Sequence, residues 1–167
     1  MKKIIFIILA IVALATPALA ANIKPAVGYQ APDGIVYDMQ SNKVTLSTII
    51  AANKVTLVHF WTTWCPYCQI EDPYLTKLYM KYHSAGLEIV AVSFNESVGT
   101  VKAWILNKKP AYPIYTEPQA SLYNRYQVIT IPVTFVVDQK GIIIAKLNHN
   151  STYQTFVDAV VPLLEAK

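Results

Sequence analysis

The chain is poor in the residues that build specialised scaffolds. It has two cysteines in 167 residues, too few for a disulfide-stapled fold or a cysteine-rich zinc site. It has one arginine, Arg125, and three histidines, His59, His83 and His149, scattered without metal-ligand spacing. Charged residues make up 14% of the chain against 54% hydrophobic, which excludes a disordered chain. Lys+Arg number 14 and Asp+Glu 10, a net charge of +4. Lys2 and Lys3 lie at the extreme N-terminus, and without them the balance is 12 against 10, or +2. With no clustered basic patch, nucleic-acid binding is set aside. There is no internal repeat, low-complexity segment, nucleotide loop or haem-attachment motif. No bound cofactor and no metal is expected, and the length is that of one domain.

The N-terminus is distinctive. Met1-Lys2-Lys3 is followed by an unbroken apolar run from Ile4 to Ala15, then Thr16-Pro17-Ala18-Leu19-Ala20. This is the pattern of an export signal, with Ala18 and Ala20 as the small residues before the cut. Residues 1–20 are therefore expected to be a signal peptide and 21–167 one mature domain, monomeric and periplasmic. The alternative is retention as an N-terminal membrane anchor. The stretch is slightly short for a span of about 20 residues. An oxidising compartment is the setting in which the two cysteines are read.

Along the rest of the chain, residues 21–34 read as an irregular lead-in. A short edge strand is predicted over 35–39, a turn over 41–43 and a helix over 46–52. Residues 54–61 form a strong apolar strand. In 66–84, Ile70, Leu75, Leu78 and Tyr82 recur at helical steps, ended by Gly86. A second buried strand is predicted over 87–94, then a helix over 98–107, a strand over 112–115 and a helix over 119–125. Two strands, 133–137 and 142–147, flank Asp138-Gln139-Lys140-Gly141 as a hairpin. A closing helix spans 151–164, with Ser151 as its cap and Pro162 as a candidate early stop. Strands joined by helices must be parallel and the hairpin antiparallel. The expected class is α/β, a mixed sheet with helices on both faces.

Both cysteines lie in one motif, Trp64-Cys65-Pro66-Tyr67-Cys68, directly after a strand and directly opening a helix. Cys65 falls at the helix N-terminus and Pro66 at its first position, where a missing N–H costs nothing. There the helix dipole and free N–H groups stabilise a thiolate. Cys68, one turn further on, is placed to close a disulfide. This spacing suits a thiol that forms a mixed disulfide and a second thiol that resolves it. A static disulfide or half a metal site are the other readings. The first would stabilise little across so small a loop, and the second lacks further ligands.

At these residues the chain resembles the thioredoxin superfamily. Phe60 to Cys68 is similar to its active-site segment, and Thr130-Ile131-Pro132-Val133-Thr134-Phe135 to its second signature. The resemblance implies a cis-proline at Pro132 lying against the disulfide, with Ile131 offering backbone hydrogen bonds to a substrate strand. Pro73 matches the family's helix-kinking proline. Within the superfamily the chain resembles the exported TlpA/ResA/DsbE-like branch. Three features carry this: the lead-in from Ala31 to Leu46, the stretch Leu87 to Glu96 with an inserted helix and strand after it, and Glu71 three residues after Cys68. The peroxiredoxin pattern Pro-x-x-x-Thr-x-x-Cys is absent, because Val58 stands where its proline should be.

The resemblance implies a thiol–disulfide oxidoreductase, with Cys65 and Cys68 as the redox pair. Glu71 is implied as a buried acid that takes or gives a proton, its pKa raised by desolvation. His59, six residues before Cys65, departs from the buried acid of thioredoxin itself. Charged, it would make the protein more oxidising; neutral, it could relay a proton for Cys68 or be an ordinary core histidine. Trp64, Pro66 and Tyr67 are candidate substrate contacts, with Trp64 bordering an exposed sulfur. Trp61 reads as core, and His83 and His149 as plain surface residues. The implied partners are protein disulfides, apocytochrome c among them, and a membrane electron donor of the DsbD/CcdA type. A general periplasmic thiol reductase or oxidant, and a non-catalytic peptide-binding module, remain alternatives.

Overall fold

The structure, a computed structural model, describes residues 25–166. The expected signal peptide, residues 1–20, lies outside the described residues. In chain order the elements are β1 (Ile35–Tyr37), β2 (Lys43–Thr45), α1 (Leu46–Ala52), β3 (Val55–Trp61), α2 (Pro66–Tyr82), β4 (Leu87–Phe94), α3 (Val98–Lys108), β5 (Ile114–Glu117), α4 (Ser121–Arg125), β6 (Val133–Asp138), β7 (Ile143–Asn148) and α5 (Tyr153–Glu165). A 3₁₀ turn over His83–Ala85 links α2 to β4, closed by Gly86 at φ 109. That left-handed conformation is one glycine takes without cost.

The seven strands form one mixed sheet in the order β2-β1-β5-β4-β3-β6-β7. β3 pairs parallel with β4, and β4 with β5, while β6 and β7 run antiparallel on the other side of β3. Every residue of the central strand β3 is buried, as expected for a strand covered on both faces. Alternate side chains then divide between two cores. Val55, Leu57 and Trp61 meet Leu75 and Leu78 of α2, Val101 of α3, and Phe156 and Val160 of α5. Val58 and Phe60 meet Leu46 and Ile50 of α1, Leu122 of α4, and Phe135 of β6. The lead-in lies along the β6–β7 hairpin, where Gly28 N–H donates to the Ile143 carbonyl and Ala31 N–H to that of Gly141.

Several boundaries differ from the sequence reading. The turn expected over 41–43 is there but lies slightly earlier, where the Ser41 N–H donates to the Asp38 carbonyl and the Asp38 N–H to that of Asn42, and Lys43 already begins β2, which pairs with β1 in a short antiparallel ribbon. The strand placed at 112–115 runs two residues later, because its pairing with β4 begins at Ile114, after Pro113, which has no N–H to donate. Thr152, not Ser151, caps α5, in a reciprocal capping box with Thr155. Pro162 does not stop α5, which runs on to Glu165. In α2 the buried stripe is Cys68, Glu71, Leu75 and Leu78, whereas Ile70 is 57% exposed. Steps of three, four and three residues put those four on one face. A glutamate therefore occupies a core position that the apolar pattern alone assigned to isoleucine.

Candidate active site

β3 ends at Trp61, and a short turn delivers Cys65 to the N-terminus of α2. Cys65 is the helix N-cap, and Pro66 follows at the first position. The Cys68 N–H donates to Cys65 Sγ at 3.2 Å. The two cysteines form a disulfide, with Cα atoms 5.3 Å apart. The pair is withdrawn: Cys65 is 3% and Cys68 4% exposed. The expectation of an exposed sulfur beside Trp64 is corrected here. It is the flanking side chains that stand in solvent, Trp64 at 67% and Tyr67 at 52%, with Pro66 between them. Trp61 is core, its ring 4.5 Å from that of Trp104 on α3.

Ile131–Pro132 is a cis peptide, and Pro132 is buried. Ile131 packs against the core that contains both cysteines. Glu71, three residues beyond Cys68, is 2% exposed, and its Oε1 has no hydrogen-bond partner. Burial pushes its carboxyl up to about 7, opposed only by the Ser151 backbone N–H. A carboxyl there can be protonated or ionised near neutral pH. Asp72, next in the helix, is also raised by burial and accepts a hydrogen bond from Tyr112 Oη at 2.7 Å.

His59 lies on the same face of β3 as Leu57 and Trp61. Its Nδ1 is 2.8 Å from Thr134 Oγ1 on β6. Burial pushes the imidazole down to about 3, so it is neutral at pH 7. Burial thus favours the neutral imidazole, hydrogen-bonded to β6 on the strand that leads into the motif.

Two further contacts were hidden from the sequence reading. His149, read as a plain surface residue, is exposed, yet its ring stands 5.9 Å from that of Tyr67 between the two cysteines. The β7–α5 loop thereby reaches both the motif, through His149, and Glu71, through Ser151. Glu96, just past β4, accepts hydrogen bonds from Thr63, two residues before Cys65. One signal could have found it. β3 and β4 are parallel and paired to the end of β3, with Trp61 opposite Ser93, one residue before β4 ends. Whatever follows β4 must then border whatever follows β3. Among the described residues no group of three or more His, Cys, Asp or Glu side chains is placed to hold a metal ion.

Comparison with known proteins bears on this arrangement. The family described as AhpC/TSA matches residues 27–146. The thiol-disulfide oxidoreductase ResA of Bacillus thuringiensis subsp. konkukian is 30% identical over 129 residues, 77% of this chain and 73% of ResA. The thioredoxin domain of a thiol-disulfide oxidoreductase from Bacteroides vulgatus superposes with a TM-score of 0.71 at 29% identity, over 81% of this chain and 98% of that one. A thiol:disulfide interchange protein from Bacteroides sp. gives a TM-score of 0.71 at 28% identity, over 80% and 89%.

Proposed function

The chain belongs to the AhpC/TSA family and, with its thioredoxin-like fold, to the ResA-like thiol–disulfide oxidoreductases, and from that premise we propose that it reduces protein disulfides outside the cytoplasm. The observation that carries this reading is the buried carboxyl of Glu71, which shares the buried face of α2 with the resolving cysteine Cys68. A positively charged group near Cys65 would stabilise its thiolate and make the protein more oxidising. His59 is neutral and supplies none.

The steps follow from the placement of the groups. A partner meets Trp64 and Tyr67 first, because these project while the sulfurs do not. Its strand pairs with the backbone at Ile131, beside Pro132. In the dithiol form, Cys65 at the helix N-terminus attacks one sulfur of the partner's disulfide, and the other sulfur leaves as a thiolate and takes up a proton. Cys68 must then lose its proton to attack Cys65 Sγ and release the partner as a dithiol. Glu71, held near 7, is the acceptor for that proton. The protein is left as the disulfide and needs a dithiol donor of the DsbD/CcdA type at the membrane. Apocytochrome c, whose two cysteines must be reduced before haem attachment, is the proposed client.

The first measurement is the reduction potential of the purified protein in a dithiol buffer series. A value around −270 mV, that of thioredoxin, supports the reductant. A value around −120 mV, that of DsbA, overturns it in favour of an oxidant. The client is tested with Cys68→Ala, which cannot resolve its mixed disulfide. Apocytochrome c is expected among the trapped partners, and its absence from them would remove it as the client.

A further inference from the structure

We propose that Glu96 is a positioning residue of the redox site, a clamp that holds the turn before Cys65 and so keeps the two thiols together when the disulfide is open. Glu96 lies two residues beyond β4. Asn95, before it, adopts a left-handed φ of 56 and turns the chain back toward the end of β3. The carboxylate then takes three hydrogen bonds. Its Oε2 accepts from the Thr63 N–H at 2.9 Å and from Ser93 Oγ at 2.6 Å. Its Oε1 accepts from Thr63 Oγ1 at 2.5 Å. From the other side, Gln69 Nε2 of α2 donates to the Thr63 carbonyl at 3.2 Å. Every polar group of Thr63 is thereby tied down. The Cys65 N–H donates to the Thr62 carbonyl at 3.3 Å, so the turn is held along its whole length.

None of these bonds closes the sheet or fills a core. Glu96 is only half-buried, in a loop. What the clamp holds is the residue two before the nucleophile. In the oxidised protein that restraint is partly redundant, because the disulfide itself fixes Cys65 on Cys68. On reduction the covalent link is gone, and the backbone around Cys65 alone keeps its sulfur near the second thiol. Restraining the dithiol in this way raises the effective concentration of one thiol at the other. A high effective concentration favours the disulfide and makes the protein a stronger electron donor. Loss of the clamp frees the dithiol more than the disulfide, so the potential moves to less negative values. This inference rests on thiol–disulfide exchange at Cys65 and Cys68, not on which direction the cell uses.

The test is equilibration of the full-length protein with reduced and oxidised dithiothreitol. Two electrons and two protons pass from protein dithiol to oxidised dithiothreitol. Glu96→Ala is expected to lower the equilibrium constant for forming the protein disulfide at least tenfold, a potential about 30 mV less negative. Glu96→Gln, which keeps one oxygen acceptor, is expected to fall between that variant and the unaltered protein. Thr63→Val and Ser93→Ala each remove one hydroxyl donor and are expected to shift the constant less, in the same direction. The urea unfolding midpoint of each oxidised variant is measured alongside. A constant for Glu96→Ala within twofold of the unaltered protein, or a rise in it, overturns the proposal whatever the unfolding midpoint does, since a merely structural role would move only that midpoint. If Glu96→Ala does not fold, no shift in both Thr63→Val and Ser93→Ala overturns it.

Discussion

The two faces of the sheet are built from the same strands yet bury different things. On one face, Phe60 of β3 packs against Tyr126 and Phe135, with ring centroids 5.1 Å and 6.2 Å away. Valines of β3, β4 and β6 fill the space around them. On the other face, Trp61, Leu75 and Phe156 share the core with both cysteines. That face also buries His59 and Glu71, and leaves the Trp61 and Trp104 indole N–H groups without partners. Burying ionisable or unpaired polar groups costs stability. The first face is not free of that cost, since Thr56 Oγ1 and Tyr126 Oη there are also buried without partners, but its unpartnered groups are hydroxyls, whereas the second face buries an imidazole and a carboxyl whose ionisation shifts between pH 3 and 7.

Changes on the first face should have the largest effect on stability and none on chemistry. Phe60→Ala removes a ring at 0% exposure and is expected to cost about 3–5 kcal/mol in urea unfolding. The reduction potential should not move. A shift in potential as large as that from Glu96→Ala would break the division between the faces.

Changes on the second face should instead reshape the pH dependence of stability. Glu71 has a folded pKa of about 7, above the 4.5 of an ordinary glutamate. It therefore favours folding fully below pH 4.5, and that contribution is lost as pH rises through 7. Glu71→Gln removes this decline, worth on the order of 3 kcal/mol for a shift from 4.5 to about 7 at about 1.4 kcal/mol per pH unit. It should also flatten the pH–rate profile between about pH 5 and 8, since the proton acceptor for Cys68 is gone. His59 acts in the opposite sense. Its folded pKa of about 3 lies below its ordinary 6.5, so stability present above pH 6.5 is lost as pH falls toward 3. His59→Leu should remove that acid limb alone. Phe60→Ala should lower the whole curve without changing its shape. Equal pH curves for Glu71→Gln and the unaltered protein would contradict the assignment of the slope to this carboxyl.

The smallest effect is expected at the rim. His149→Ala removes an exposed ring contact to Tyr67, worth about 0.5 kcal/mol at the low end for aromatic pairs. With Tyr67 less firmly placed at the rim, a small fall in kcat/KM with a protein disulfide is expected. Turnover of a small disulfide, which does not span the rim, should be unchanged. An equal loss with both substrates would place His149 in the chemistry and not in partner contact.

Much of the site is local and was legible in the sequence. The strand Val55–Trp61, the turn and the helix from Pro66 follow one another directly, so the motif's place at a helix N-terminus comes from hydrophobic runs and a proline. The helical period that carries Cys68 onto the buried face carries Glu71 with it. Ile70 misled only because an apolar residue was assumed to mark the core stripe, when the stripe is set by which face meets the sheet. Thr152 replaces Ser151 as the cap because Ser151 Oγ donates to the Asn148 carbonyl instead.

The sequence by itself determined the redox pair, its spacing, the α/β class and the order of helices and strands, because each rests on residues close together in the chain. Only the tertiary structure decided which distant groups surround that pair. His59 meets Thr134 across 75 residues through the antiparallel register of β3 and β6. Glu96 meets Thr63 across 33 because β3 and β4 end side by side. The protonation of His59 and Glu71 belongs to the same category. Both have ordinary pKa values in the open chain, and only the loss of solvent inside the folded core moves one down and the other up.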